Sequence, residues 1–340
     1  MSKAKRPSSP IRRAIWVLAA GVGFYVALPA LVKVVGAWPR LFSLEPWWLL
    51  VALATEFGSF LCAMALLRLS VRSKDWYAVV TAGLAGNAVT NVLPSGGAAG
   101  AGVQYRMLVA AGMTTGQAAG GLATTGVLNL AGLLILPVFA LPVLLGGTTV
   151  SSGLLHAGEL GIVGFVFIAS FGVLILTTDQ VLEWVGRAVQ WLLNRTWRRH
   201  RRTTNLPGRL IEQRNLVRAG LGRNWRRAVV LVAGRIGLDY FSLLAALRAT
   251  GAKPNPSLVL LAYAATAVIT LVPLTPGGLG IVEASLTGLL VLAGIPSSSA
   301  VVATLAFRIG SYWLPTIGGG IAYVLARRRY GSMGERVPVQ

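Results

Sequence analysis

The sequence predicts an all-α polytopic membrane protein made of inverted-topology repeats with two re-entrant helical hairpins. Three observations lead there. Of 340 residues, 55% are apolar and only 12% charged, against about 25% charged in a typical soluble domain. Such a chain is neither a soluble enzyme, a secreted disulfide scaffold nor a disordered polymer. The apolar residues fall in long blocks, Ala14–Val35, Trp47–Leu67, Leu154–Leu176 and Ala228–Leu247. Each is long enough at about 1.5 Å per residue to cross roughly 30 Å of hydrocarbon. These runs are continuous, whereas barrel strands alternate, so helices satisfy the backbone in lipid here. Third, two further apolar blocks are broken by Pro and Gly at matching places in the two halves of the chain.

The elements follow in order. Residues 14–35 read as an uncleaved first transmembrane helix, too long for a signal-peptide core. A second helix covers 47–68. An apolar pair, 76–93 and 101–112, is interrupted by Pro94-Ser-Gly-Gly-Ala-Ala-Gly100. Helices at 117–145 and 154–177 come next, then a basic segment, then a helix at 228–249. A second pair, 257–272 and 280–293, is interrupted by Pro273-Leu-Thr-Pro-Gly-Gly-Leu-Gly280. A last helix spans 299–326. Segments 101–112 and 280–293 reach only about 18 and 21 Å as helices. Neither spans alone, and Pro and Gly at the breaks remove helical bonds and allow tight turns. Each pair therefore reads as a hairpin that enters and leaves on one side.

The halves match each other. Asn87-Ala-Val-Thr-Asn-Val-Leu-Pro94 sets against Thr266-Ala-Val-Ile-Thr-Leu-Val-Pro273, Gly96-Gly97 against Gly277-Gly278, and Leu67-Arg68 against Leu247-Arg248. A constant offset of about 180 residues marks an internal repeat.

Charge gives an orientation. The formal net charge is +21, and most of the 31 Lys and Arg sit in four stretches: 3–13, 68–74, 178–227 and the tail from Arg327. Basic residues collect in cytoplasmic loops, so nucleic-acid binding is not needed to explain them. With the N-terminus inside, all four clusters fall on the cytoplasmic side, and Lys33, Arg40, Arg248 and Lys253 face outward. The expected organisation is a cytoplasmic N-terminus 1–13, a single transmembrane domain 14–326 and a cytoplasmic tail 327–340. The domain holds repeats at about 47–145 and 228–326, now inverted in the membrane, and the cytoplasmic segment 178–227. The expected location is the cytoplasmic membrane. Inverted repeats with broken helices are a transporter architecture, with the substrate site between the repeats.

At Pro273-Leu-Thr-Pro-Gly-Gly-Leu-Gly-Ile-Val-Glu283, together with Asn91-Val-Leu-Pro-Ser-Gly-Gly97, the chain resembles the lysylphosphatidylglycerol synthase transmembrane family, over about residues 12–328. That is the flippase portion of the multiple-peptide-resistance proteins and their stand-alone relatives. The resemblance implies movement of a charged phospholipid or lipid-linked intermediate between leaflets. The chain stops at Gln340 without a soluble aminoacyl-transfer domain, so the resemblance does not extend to lysyl-lipid synthesis.

Ionisable residues inside the membrane are the site candidates. Glu56 lies about 14 Å into its helix, Asp239 about 16 Å and Arg308 about 14 Å, and Glu283 opens the half-helix after the second break. Arg235 and Asp239, four apart, share a helix face. Arg308 and Arg235 suit a lipid phosphate, because guanidinium matches its oxygens in a fork. The half-helix ends after Gly97 and Gly280, with Gly277 and Gly278 beside them, add N–H groups and partial positive charge. Glu283, Glu56 or Asp239 would hold a cationic head group or take a proton that drives transport. The alternative is that Arg235–Asp239 and Arg308–Glu283 are paired charges that fix helix packing. Asn91, beside the first break, suits either substrate contact or interhelical hydrogen bonding, as do Asn87 and Asn129. Arg106 suits local pairing or snorkelling, and Gly116 and Gly120 a close helix approach.

The expected substrate is an anionic or zwitterionic membrane lipid, moved without enzymatic change. A membrane-embedded enzyme using Glu283 or Asp239, and a non-transporting partner of a lipid or envelope synthase, are the alternatives. The Arg-rich stretch 187–227 suits an anionic lipid surface, and a homodimer is a further possibility. No cofactor is called for. There is no GxxxxGK[ST] loop for ATP, and two His and one Cys do not build a usual zinc site.

Overall fold

The computed structural model describes residues 44–93, 96–145, 224–270 and 275–330, with isolated positions 183, 184, 187, 190 and 208. The expected helices 14–35 and 154–177, most of the basic segment and the chain beyond 330 lie outside the described residues. All regular structure among the described residues is helical. Three stretches, Pro46–Val71, Trp225–Ala249 and Ser297–Tyr330, are long and apolar enough to cross a membrane.

Local chemistry sets the ends of the helices. α1 (Pro46–Val71) starts with proline at its first turn, where no N–H is missed, and stops where Arg72 turns left-handed. α2 (Trp76–Val92) is capped by Asp75, whose carboxylate accepts the Ala78 N–H at 3.2 Å. α3 (Gly97–Ala110) and α4 (Thr115–Leu145) follow. After α5 (Trp225–Ala249), α6 (Pro256–Ile269) again starts on proline, with Asn255 as cap. A 3₁₀ turn, Pro276–Gly278, leads to α7 (Ile281–Leu292). α8 (Ser297–Arg308) runs through a π turn, Ile309–Trp313, into α9 (Leu314–Tyr330).

Two expected boundaries move. The helix expected from 101 begins at Gly97, because Ala98 and Ala99 favour helix and need little room. The last helix, expected to be continuous, is divided by the π turn directly after Arg308. π turns frequently mark functional positions inside helices.

α1 lies along α5, the most extensive helix contact among the described residues. Ser59 and Ser242 tie the two backbones, donating to Arg235 O at 2.9 Å and Ala52 O at 3.0 Å. Two further sets of contacts match: α2 packs on α3 and on α9; α6 packs on α7 and on α4. Gly319 of α9 sits so close to α2 that a Cβ there would meet Ala88 Cβ at 2.6 Å. One apolar core joins α5–α8 through Leu243, Leu247, Val259, Leu286 and Leu290. A second joins α1–α4 to the end of α9 through Leu67, Val79, Met107, Leu108 and Ala326.

The outward faces are apolar as well. Leu50, Leu53, Phe57 and Leu61 on α1, and Leu314, Ile317, Ile321 and Leu325 on α9, are exposed at three- and four-residue spacing. Such stripes on a soluble surface would drive aggregation; facing lipid they are at home.

Candidate functional site

Two charged clusters form inside this frame. The first is built on the second Gly-rich break. Pro276 opens the 3₁₀ turn, and Gly277 at φ +55° and Gly280 at φ +83° take left-handed backbone that an L side chain resists. Glu283, on the first turn of α7, reaches back to accept the Gly280 N–H at 2.7 Å. This is the reciprocal half of a capping box, made without a side chain at Gly280. Its other oxygen accepts Arg308 Nε at 2.7 Å. Arg308 also donates to the Gly277 carbonyl at 3.1 Å and lies over the Tyr312 ring at 4.3 Å. The pair is buried, with side-chain exposures of 11% and 12%.

The same cluster reaches the first break. Tyr312 donates its hydroxyl to the Asn91 carbonyl at 3.1 Å, and the Asn91 amide donates to Thr316 Oγ1 at 2.9 Å. A Cβ on Gly277 would lie 2.8 Å from that same Asn91 carbonyl and run into the Tyr312 ring. The second Gly-rich break thus touches the last turn of α2, three residues before the first break, beside one guanidinium. The hydroxyls of Thr275 and Ser311, close in sequence to Gly277 and Arg308, are buried without a hydrogen-bond partner among the described residues.

The second cluster lies between α1, α4, α5 and α6. Arg235 donates to Asn129 Oδ1, and the Tyr263 hydroxyl donates to Asp239. Glu56 faces Ser242 and Asp239. Glu56 is only 4% exposed, and its Oε2 has no hydrogen-bond partner. Arg235 and Asp239, expected on one helix face and in the alternative reading a charge pair, make their hydrogen bonds across helices, to Asn129 and Tyr263 respectively. Arg235 still acts electrostatically on both acids, and Arg308 acts on Asp239, which links the clusters.

The remaining candidates divide. Asn91, Gly277 and Gly280 lie in the first cluster, and Gly278, at φ +70°, completes its turn by donating to the Thr275 carbonyl at 3.1 Å. Gly97 is exposed, and a Cβ there would meet nothing within 4 Å. Its neighbour Gly96 is the buried one, close against the Thr90 and Leu93 carbonyls. Arg106 is exposed. The sequence reading passed over Tyr312, Tyr263, Thr316, Thr275 and Ser311. The aromatic residues looked like ordinary membrane composition; the only available signal was the placement of Tyr312 one helical turn after Arg308.

An apolar groove of about 470 Å³ opens beside the second cluster, between α1, α2 and the π turn with α9. Phe57, Phe60, Leu84 and Leu314 line it, and Glu56 and Gly310 form its polar end.

Comparison with known proteins agrees with the lipid-facing, helical character of the chain. Over 91 residues it is 35% identical to a UPF0104 membrane protein of Methanothermobacter thermautotrophicus, covering 27% of this chain and 26% of that one. Over 70 residues it is 34% identical to a UPF0104 membrane protein of Pyrococcus horikoshii, covering 21% of each. The matched stretch spans about a quarter or less of the length of these curated relatives. The profile of the lysylphosphatidylglycerol synthase TM region matches far more, residues 16–319. The chain is a multi-pass membrane protein and belongs to the lysylphosphatidylglycerol synthase transmembrane-region family.

Proposed function

We propose that this protein is a flippase, moving a charged or zwitterionic phospholipid or lipid-linked intermediate between leaflets without altering it. The observation that carries this reading is the Arg308–Glu283 pair, held where the second Gly-rich break meets the last turn of α2. A phosphate crossing the low-dielectric middle of a bilayer needs a partner, and a guanidinium supplies a fork of donors. Glu283 balances Arg308 between lipids, so the resting site holds no lone charge.

The reading includes the topology. Helices α3 and α7 have 14 and 12 residues, about 21 and 18 Å. Each folds back on the helix before it, which supports re-entrant hairpins. The pairwise contacts of α2 with α9 and α6 with α4 support an inverted repeat. Both termini are cytoplasmic in this reading, in the cell's cytoplasmic membrane. The Arg-rich stretch 187–227 rests on anionic lipid, and a homodimer or a lipid synthase remains a candidate partner.

The test is purified protein in phosphatidylglycerol–phosphatidylethanolamine liposomes that carry a dye-labelled phospholipid. An aqueous quencher reads how much label reaches the outer leaflet. The expected result is transfer of chemically unchanged lipid. A modified lipid would overturn the flippase in favour of a membrane-embedded acid–base enzyme. Transfer or synthesis that appears only when another protein is added would make the chain a partner.

A further inference from the structure

The two clusters together hold three carboxyl groups, Glu56, Asp239 and Glu283, against two guanidinium groups, Arg235 and Arg308. Glu283 is fully engaged, one oxygen by Arg308 and the other by the Gly280 N–H. Asp239 accepts from Tyr263, and Arg235 is drawn toward Asn129. Among the described residues the unbalanced group is Glu56. It is 4% exposed, its Oε2 has no partner among those residues, and it is the one charged group lining an otherwise apolar groove. Surplus negative charge in a water-poor interior is very costly unless a positive charge joins it.

We propose that Glu56 and Asp239 form a binding site for one small monovalent cation, a proton or a sodium ion, and that this cation drives the lipid step. The first half stands on the charge count and the unpartnered oxygen. The second half rests on the flippase reading. The groups around Glu56 fit such a ligand. From α5 come the Asp239 carboxyl and the Ser242 hydroxyl, all-oxygen donors suited to a hard cation. Arg235 on the same helix acts electrostatically on both carboxyls, Arg308 on α8 acts on Asp239, and Tyr263 on α6 donates its hydroxyl to Asp239. On the α9 side Gly310 packs on the Glu56 stem, and a Cβ there would lie 3.3 Å from Glu56 Cγ. Because Gly310 is two residues beyond Arg308, filling the cation site and moving the Arg308 end of the π turn are mechanically joined.

The site also differs from head-group recognition. A lipid ammonium at Glu56 would make the residue choose between lipids. A driving cation instead makes transfer of every accepted lipid depend on an ion gradient.

Two measurements on the full chain decide this. Binding is read first, on protein in phosphatidylglycerol nanodiscs. Sodium chloride is titrated calorimetrically against choline chloride, and infrared spectra are compared in light and heavy water for the band of a protonated carboxylic acid. Either one sodium bound, or a carboxylic-acid band at neutral pH, is expected in the parent chain and lost in Glu56→Gln. The same signal persists in the Arg308→Met/Glu283→Gln double variant. Neither signal in the parent chain overturns the cation site, whatever the variants do. If Glu56→Gln does not fold, Asp239→Asn takes its place in the same comparison.

Transfer is read second, in the liposomes above, with a pH or a sodium gradient imposed. The parent chain is expected to change its transfer rate several-fold with one gradient, which identifies the ion, while Glu56→Gln gives one rate under both. Parent transfer that ignores both gradients overturns the driving role. A Glu56→Gln variant that changes which lipid is moved but keeps the gradient response assigns the residue to the head group and overturns the proposal. A parent chain that moves no lipid at all overturns the flippase reading, and with it the driving role, while the binding measurement still decides the cation site.

Discussion

Arg308 is the residue on which most contacts converge: a carboxylate, a carbonyl and an aromatic ring. Its variants separate charge from shape. Arg308→Lys keeps the charge and loses the planar fork, so we expect a folded protein with slowed lipid transfer in the quenching assay. Arg308→Met alone leaves Glu283 buried and uncompensated, a loss of about 3–5 kcal/mol that lowers the melting temperature in detergent. Arg308→Met with Glu283→Gln strands no charge and is expected to melt near the parent while moving no lipid. Parental transfer by that double variant would make the pair structural. Gly277→Ala forces an L residue to φ +55°, about 1–2 kcal/mol for the backbone alone, and drives its Cβ against Tyr312 and the Asn91 carbonyl. A folded variant with parental transfer would show that the close approach of Gly277 to the end of α2 is dispensable.

At the scale of elements, the hydrophobic runs alone predicted α1, α2, α5 and α6 to within a few residues, because in lipid an apolar run and a helix are nearly the same statement. The π turn was not legible. Ile309-Gly-Ser-Tyr-Trp313 carries no proline and no other local signal for a widened turn. Arg235 and Asp239 were legible as charges out of place; their partners Asn129 and Tyr263 were not, since only folding brings α4 and α6 to α5. The start of α2 makes a separate prediction. Burial pushes the Asp75 carboxyl up. The Ala78 and Tyr77 N–H groups, the Tyr330 hydroxyl and the Arg329 charge outweigh that and hold it below the ordinary aspartate value. A depressed value means the cap stabilises fully above the free-chain value of about 3.9 and weakens as pH falls through the lower folded value. Asp75→Ala is expected to cost about 1 kcal/mol near neutrality, and the difference from the parent should vanish in acid. A difference that persists unchanged in strong acid would remove the charge from the explanation.

For the whole molecule, the charge asymmetry predicts which side each exposed loop faces. In a Cys62→Ala background, a cysteine at Lys74 should react with an impermeant reagent only from the cytoplasmic side, and one at Lys253 only from outside. Both positions are exposed. Cysteines at Thr203 and Ser332, outside the described residues, should follow Lys74. A cysteine at Thr275, which is 7% exposed, should resist labelling from either bulk phase. Labelling of Lys74→Cys from outside would invert the orientation and, with it, the side on which each hairpin opens.

The π turn after Arg308 has a consequence for genetics as well as for geometry. An α-helix advances about 100° per residue, so one extra residue re-aims everything that follows it unless a widened turn absorbs it, as a π turn does. With all five residues 309–313 in regular α geometry, the Leu314, Ile317 and Ile321 stripe would swing about a quarter of a turn away from lipid while Arg308 stayed in place. Loss of a single codon within 309–313 would instead close the turn into a regular helix with the stripe still in phase. The segment therefore acts as a phase setter, keeping a charged interior and a greasy exterior in step along one continuous rod. A one-residue deletion there should keep the greasy face toward lipid, whereas a one-residue deletion in the regular helix after it should turn that face away.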